Sequence, residues 1–298
     1  MGLDFNGTRF LLLAKATGVD FAKSATVGRQ SLYLDPGELK KNLHDFGIRK
    51  ADSEIAALLE SAQGYAEPFL RMLGAEEIVS VDLSTYEGAA VVHDMNFPVA
   101  DHLKDRFDAV IDGGALEHIF NFPMAIKNCM EMVRAGGHFL SITPANNFLG
   151  HGFYQFSPDL FFRIFTEANG FALQRVLLFE ANSKGIWYLV SDPEKIRRRV
   201  ELVNNAPSYL LIQAKKTGRV SHIFEAPPQQ SFYVELWSEP DAANREVRPS
   251  LGGKIRNAIK RFIPQSVLEI YWRASHSSSR LSNPDFFKRV DALDLVKT

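Results

Sequence analysis

The chain has 298 residues, enough for one large or two smaller domains with a full core. Apolar residues make up 46% and charged residues 23% of it, as in ordinary globular enzymes and binding proteins, and a formal net charge of −1 gives no global field to attract nucleic acid or an anionic surface. The single cysteine, Cys129, excludes an intramolecular disulfide or a cysteine-rich metal site, and its apolar helical surroundings mark it as a buried small hydrophobe.

The first residues, MGLDFNGTRFLLLAKATG, place no basic segment before a short apolar run at 10–14, too short for a signal peptide or a membrane span. Asn6 stands where a myristoylation signal requires Ser or Thr, so a cytoplasmic protein is expected. Residues 7–17 predict a docked helix, and 24–30 a short strand entering a turn at Gly28. Helical patterns follow at 38–46, 53–62 and 66–73, the last stopped by Gly74. Strands are expected at 77–83 (EIVSVDL), 89–92, 108–111 and 138–143, with a helix at 124–134 before the last of them. A helix at 157–169, strands at 171–180, 185–190 and 208–214, and a helix at 194–203 complete the pattern. Strands and helices that alternate in this way predict a doubly wound α/β sheet of the Rossmann-like kind, with an antiparallel edge from the late strands.

After residue 216 the texture changes, so the expected division is an α/β domain over 1–216 and an extension over 217–298. That extension contains a basic amphipathic stretch, 254–273 (KIRNAIKRFIPQSVLEIYWR), interrupted by Pro264. Packing of its Ile255, Ile259, Phe262 and Leu268 face against protein is favoured over peripheral contact with an anionic membrane.

In an open α/β sheet, ligands bind beyond the carboxyl ends of the strands. Asp82 ends a strand where an acid can bind the ribose hydroxyls of a nucleotide, and Asp94 with Met95, after the next strand, suits an adenine ring. The glycine-rich loop expected after the first strand is reduced to Thr26-Val27-Gly28-Arg29-Gln30-Ser31. Gln30 takes the place of the second glycine, which disfavours a dinucleotide pyrophosphate; a smaller carboxylate-bearing cofactor could use the charge of Arg29.

The segment FDAVIDGGALEHIFN…AIKNCMEMVRAGGHFLSITP, with the order of elements around it, resembles the class I S-adenosylmethionine-dependent methyltransferases. Within that family, VGRQ, IDGGALEHIFN and GHGFYQFSP resemble a group of bacterial methyltransferase-like proteins associated with polysaccharide or secondary biosynthesis. The resemblance implies S-adenosylmethionine as cofactor, with Gly28 at the first loop glycine, Asp82 on the ribose, Asp94 and Met95 on the adenine, and Asp112 and Gly113 beside the methionine moiety. Thr26 and Gln30 depart from the family pattern, since Thr26 stands where an acid usually meets the cofactor's amino group.

Methyl transfer to a hydroxyl needs alignment and removal of a proton, for which histidine suits neutral pH. His151 and His118 both fall on loops at the expected mouth, with His151 preferred as base; Asn146, Asn147, Tyr154 and Gln155 could hydrogen-bond a polar acceptor. Asn146 and Asn147 serve equally well as turn formers. Asp112, Glu117 and His118, or His93 and Asp94, lack further ligands at fixed spacing, so no metal is expected. Nothing matches the zincin, hydrolase-elbow or phosphate-loop motifs, and near-zero charge argues against a nucleic-acid substrate. The expected function is O-methylation, before N-methylation, of a polar small molecule such as a sugar or glycan intermediate. A non-catalytic module of the same fold, and an enzyme that uses the nucleotide for another reaction, stay open, as does a homodimer.

Overall fold

The computed structural model describes residues 2–220, 222–238 and 280–297. The amphipathic stretch at 254–273 lies outside the described residues. In chain order the elements are β1 (Gly2–Leu3), α1 (Phe5–Ala16), β2 (Lys23–Val27), β3 (Ser31–Leu32), α2 (Pro36–Asp45), α3 (Asp52–Ala62), α4 (Glu67–Met72), β4 (Glu77–Asp82) and β5 (Val91–Val92). They continue with β6 (Phe107–Gly113), α5 (Phe122–Met132), β7 (Val133–Asn146), α6 (Pro158–Ile164), β8 (Phe171–Glu180), β9 (Trp187–Val190), α7 (Pro193–Ile196), β10 (Ser208–Lys216), α8 (Ser231–Ser238) and β11 (Phe287–Val290).

The chain divides into two compact units. One comprises Met1–Leu189, Ala206–Pro228 and Arg289–Thr298, the other Val190–Asn205 and Gln229–Lys288. The division is discontinuous, unlike the single boundary expected after residue 216. The second unit begins inside the late strand pattern because α7 packs on α8 rather than continuing as the helix expected over 194–203.

Within the first unit the strand order is β9-β8-β10-β7-β6-β2-β4-β5. Strands β5, β4, β2, β6 and β7 run parallel, and β10 lies antiparallel between β7 and β8. This is the doubly wound α/β sheet of the class I methyltransferase type. The chain builds outward from β2 through β4 to β5, then returns to add β6 and β7 on the other side. That reversal places a topological switch point between β2 and β6.

The centre of the sheet is apolar on both faces, as parallel strands require: every residue of β6 is buried, Phe107 and Asp112 included. Helix α1 starts at Asp4, whose carboxylate accepts from Gly7 N at 2.8 Å, and α2 starts in an Asp35/Glu38 capping box with Pro36 in its first turn. Asn6 fastens α1 to the sheet edge by accepting from the Trp187 indole at 3.0 Å and from Gly185 N at 2.9 Å. Buried Lys216 donates to the carbonyls of Met130 and Val133 at the end of α5 and pairs with Asp105 at 2.7 Å, a cation placed where a helix C-terminus favours one. Among the described residues no helix is long and apolar enough to cross a membrane.

Candidate active site

Two clefts open at the carboxyl ends of the central strands. The first, of about 220 Å3, is lined by Val27, Gly28, Val81, Asp82, Leu83, His93, Asp94, Met95, Asn96, Ala115, His118 and Ile119. Strand alternation and the strand ends account for most of this wall. Asp82 closes β4, and the loop after β5 returns Asp94 and Met95 to its side. The backbone and side-chain N–H groups of Asn96 both donate to Asp94 Oδ1, at 2.9 and 2.7 Å, and hold its carboxyl below the ordinary range. Buried Asn128 fixes the loop from below: it donates to the carbonyls of Met95 (3.1 Å) and Phe97 (2.8 Å) and accepts from Val99 N. It lies within α5, where nothing in the sequence pattern separates a loop anchor from a helix-face residue.

The second cleft, of about 200 Å3, is lined by Gly2, Asp4, Tyr33, Gly113, Gly114, Glu117, Ile142, His151, Phe179 and Tyr209. Gln30, itself buried and lining neither cleft, packs against Gly113 of this wall. The Gln30 amide donates to Val27 O at 2.6 Å, and its Oε1 lies so close to Gly113 that a Cβ there would sit 2.2 Å from it. That Oε1 is buried without a hydrogen-bond partner. Thr26 is buried within β2 and lines neither cleft.

Other expected cofactor residues are engaged elsewhere. Arg29 lines neither cleft: it pairs with Glu67 at 2.6 Å, donates to Glu87 O and lies over the Tyr65 ring at 3.7 Å. A guanidinium held by a carboxylate has little charge left to offer a second one. Asp112 is fully buried beneath the cleft, accepting from Ala115 N, Leu116 N and Ser141 Oγ. It organises the turn after β6 and lines neither cleft.

Above that turn stands a cluster built from distant residues. Glu117 is fully buried, yet neither carboxylate oxygen has a hydrogen-bond partner. Burial, followed by the charge of Asp112, pushes its pKa well up. His151 Nε2 lies 3.5 Å and His118 Nε2 3.9 Å from Glu117 Oε1, and the two imidazole centres are 5.2 Å apart. Burial, and then the neighbouring His151, lower the pKa of His118. His118 faces the first cleft and His151 the second, so the cluster bridges both.

Backbone contacts bring His151 there. Phe153 N and Tyr154 N both donate to Glu117 O, at 2.8 and 3.2 Å. Gly152 permits the approach, since a Cβ on it would lie 2.9 Å from that same carbonyl. The loop's other polar groups maintain its shape: Tyr154 Oη donates to Phe120 O at 2.6 Å, and Gln155 Oε1 accepts from Phe148 N at 2.7 Å. Asn147 adopts φ +62° and donates to Ala206 O, while Asn146 ends β7 opposite Ser208. Asn146, Asn147, Tyr154 and Gln155 thus line neither cleft. The sequence places Glu117 at the mouth, but its unpartnered burial appears only in three dimensions.

No family profile matches the chain, and no curated protein matches it. Solved structures do resemble it. The 1,6-didemethyltoxoflavin-N1-methyltransferase of Burkholderia thailandensis, with S-adenosylhomocysteine bound, is 14% identical, with 70% of this chain and 77% of that chain covered at a TM-score of 0.38. The N-methyltransferase NodS of Bradyrhizobium japonicum is 14% identical over 72% of this chain and 97% of its own, at 0.38. The branched-chain polyamine synthase of Thermus thermophilus, with 5'-methylthioadenosine bound, is 11% identical over 78% of this chain and 63% of its own, at 0.37. The strand order places the cleft beside β2 beyond the carboxyl ends of the strands, where open α/β sheets take their ligands.

Proposed function

We propose that the chain is an S-adenosylmethionine-dependent methyltransferase acting on a hydroxyl of a polar small molecule, such as a sugar or glycan intermediate. The observation that carries this reading is the pair of clefts at the strand ends: Asp82, Asp94, Met95 and His118 line the first, and Glu117 and His151, grouped with His118, line the second. The nucleoside end of the cofactor fits the first cleft: Asp82 for the ribose hydroxyls, Asp94 as acceptor for an adenine amino group, Met95 and Ile119 as apolar contacts. Of the residues expected at the amino-acid end, Gly28 lines the first cleft and Gly113 the second.

When bound, the cofactor supplies an activated methyl group on a sulfonium. The chain's residues do the rest. The second cleft seats the acceptor between Tyr33, Phe179 and Tyr209, whose rings suit the apolar faces of a sugar. His151, at the edge of that cleft and beside Glu117, takes the hydroxyl proton as the oxygen attacks. Alignment of the acceptor with the transferred group contributes the larger share of the rate.

The Gln30 contacts favour a second reading, a chain that keeps the fold without using the cofactor, because its buried amide fills the space against Gly113, beside which the methionine end would rest. Calorimetry with S-adenosylmethionine and S-adenosylhomocysteine separates the two. The enzyme gives saturable heat with both and a methylated product by mass spectrometry; absence of heat and of any thermal shift at millimolar ligand sinks the enzyme. Binding without a methylated product leaves an enzyme that uses the nucleotide for other chemistry.

A further inference from the structure

We propose that Glu117, His118 and His151 form a binding site for a divalent first-row transition-metal ion. One ligand atom from each of the three residues comes together with the others within 4.8 Å. Two ligands held about 2.1 Å from one ion can stand at most about 4.2 Å apart. The Glu117–His151 and Glu117–His118 separations, 3.5 and 3.9 Å, already meet that limit. The imidazoles are partly exposed, at 43% and 44% of their side-chain surface, so a small rotation closes the remaining pair.

The state of Glu117 points to a missing partner. A carboxylate removed from water with neither oxygen hydrogen-bonded is costly, and proteins normally pair such a group or give it a cation. Two imidazole nitrogens stand 3.5 and 3.9 Å from its Oε1, and in their neutral form they can turn lone pairs toward a shared ion. The backbone clamp from Phe153 and Tyr154 onto Glu117 O holds His151 to this geometry. Two imidazoles with one carboxylate select zinc, iron, cobalt or manganese in preference to magnesium or calcium, which take oxygen ligands. Three protein ligands also leave coordination positions facing the clefts.

The catalytic use of this ion rests on the methyl-transfer reading. The ion, held by Glu117, His118 and His151, would supply a positive charge that lowers the pKa of an acceptor hydroxyl; His151 would then serve as a ligand in place of its role as base, and the hydroxyl proton would go to solvent water. Binding of the ion itself requires neither cofactor nor acceptor, so the two proposals fail separately.

Titration of the full chain with Co2+ tests the site by visible absorption and calorimetry in the absence of S-adenosylmethionine. One saturable equivalent is expected, displaced by Zn2+ and not by equimolar Mg2+. Glu117→Gln and His118→Ala should each weaken uptake by more than the about 10–100-fold that loss of a supporting outer partner costs. His102→Ala, which removes an exposed histidine lining neither cleft, should bind as the parent does. Circular dichroism checks that each variant is folded; if Glu117→Gln is not, His118→Ala, altering a partly exposed ring, decides. No saturable uptake by the parent chain overturns the proposal, as does parent-like binding by the folded ligand variants. Equal displacement by Mg2+ overturns the assignment to transition metals.

Discussion

The two clefts at the strand ends are built by different means. The wall carrying Asp82, Asp94 and Met95 comes from consecutive strand ends, each held by partners a few residues away, as when Asn96 donates to Asp94. The Glu117-His118-His151 wall joins a turn after β6 to a loop after β7, and it leaves a buried carboxylate without a hydrogen bond. Sites made of local turns tolerate change one residue at a time. Sites made by convergence of distant segments depend on the clamp that holds the segments together.

The largest expected effect lies on the converged side. His151→Ala should lower kcat by about 10²–10⁴-fold, the range for loss of a general acid–base or an equivalent catalytic group. Measuring His118→Ala beside it sharpens the contrast: a comparable fall for both fits two ligands of one ion, whereas a fall confined to His151 fits a lone base. Equal small losses mean that neither has a chemical role.

On the local side, Asp82→Ala should raise the dissociation constant for S-adenosylhomocysteine by about 10–100-fold, through loss of hydrogen bonds to a charged acceptor worth about 1.5–3 kcal/mol. Its melting temperature and its Co2+ uptake should match the parent. If metal uptake falls together with nucleotide affinity in calorimetry, the two walls are not independent.

Gly152→Ala attacks the clamp itself. A methyl group 2.9 Å from Glu117 O has to push backbone apart, at a cost of about 1–3 kcal/mol in thermal melts. Loss of Co2+ binding with nucleotide affinity retained is expected; a variant indistinguishable from the parent in both assays means the loop is not held as described.

The smallest effect is a control remote from both clefts. Burial, then the charges of Lys215 and Arg134, depress His138 on β7 to about 4. The unfolded chain binds this proton from about pH 6.5 downward while the folded chain resists it to about pH 4. Stability from the neutral imidazole is therefore complete above that window and lost as pH falls through it, by on the order of 3 kcal/mol. Denaturant melts of His138→Leu should show a shallower fall from pH 7 to pH 4 than the parent. Parallel curves sink this attribution.

Much of the fold follows from hydrophobic periodicity. The strand pattern over 77–83 becomes β4, the strand expected at 108–111 becomes the doubly buried β6 (Phe107–Gly113), and the late strands supply the antiparallel β10. The paired strands β1 and β3, two residues each, carry too few residues for any period to show. The helix expected over 194–203 contracts to Pro193–Ile196, with Arg197 in the left-handed region at its end. For the site, Asp82, Asp94 and Met95 were legible because an acid or an apolar residue at a strand end has few places to go. Arg29 was not: its charge suited a cofactor, but Glu67 on α4, far along the chain, holds it at 2.6 Å.

By itself the sequence determined the α/β class, the buried Cys129 and the placing of Asp82, Asp94 and Met95 at strand ends that line one cleft, all consequences of short-range pattern. The tertiary structure alone decided that Gln30 covers Gly113, that the polar side chains of residues 146–155 bind their own loop, and that Glu117 lies buried between two histidines. Each of these depends on segments brought together across the sheet, where steric fit and the desolvation of single polar atoms set the outcome and residue spacing carries no record of it.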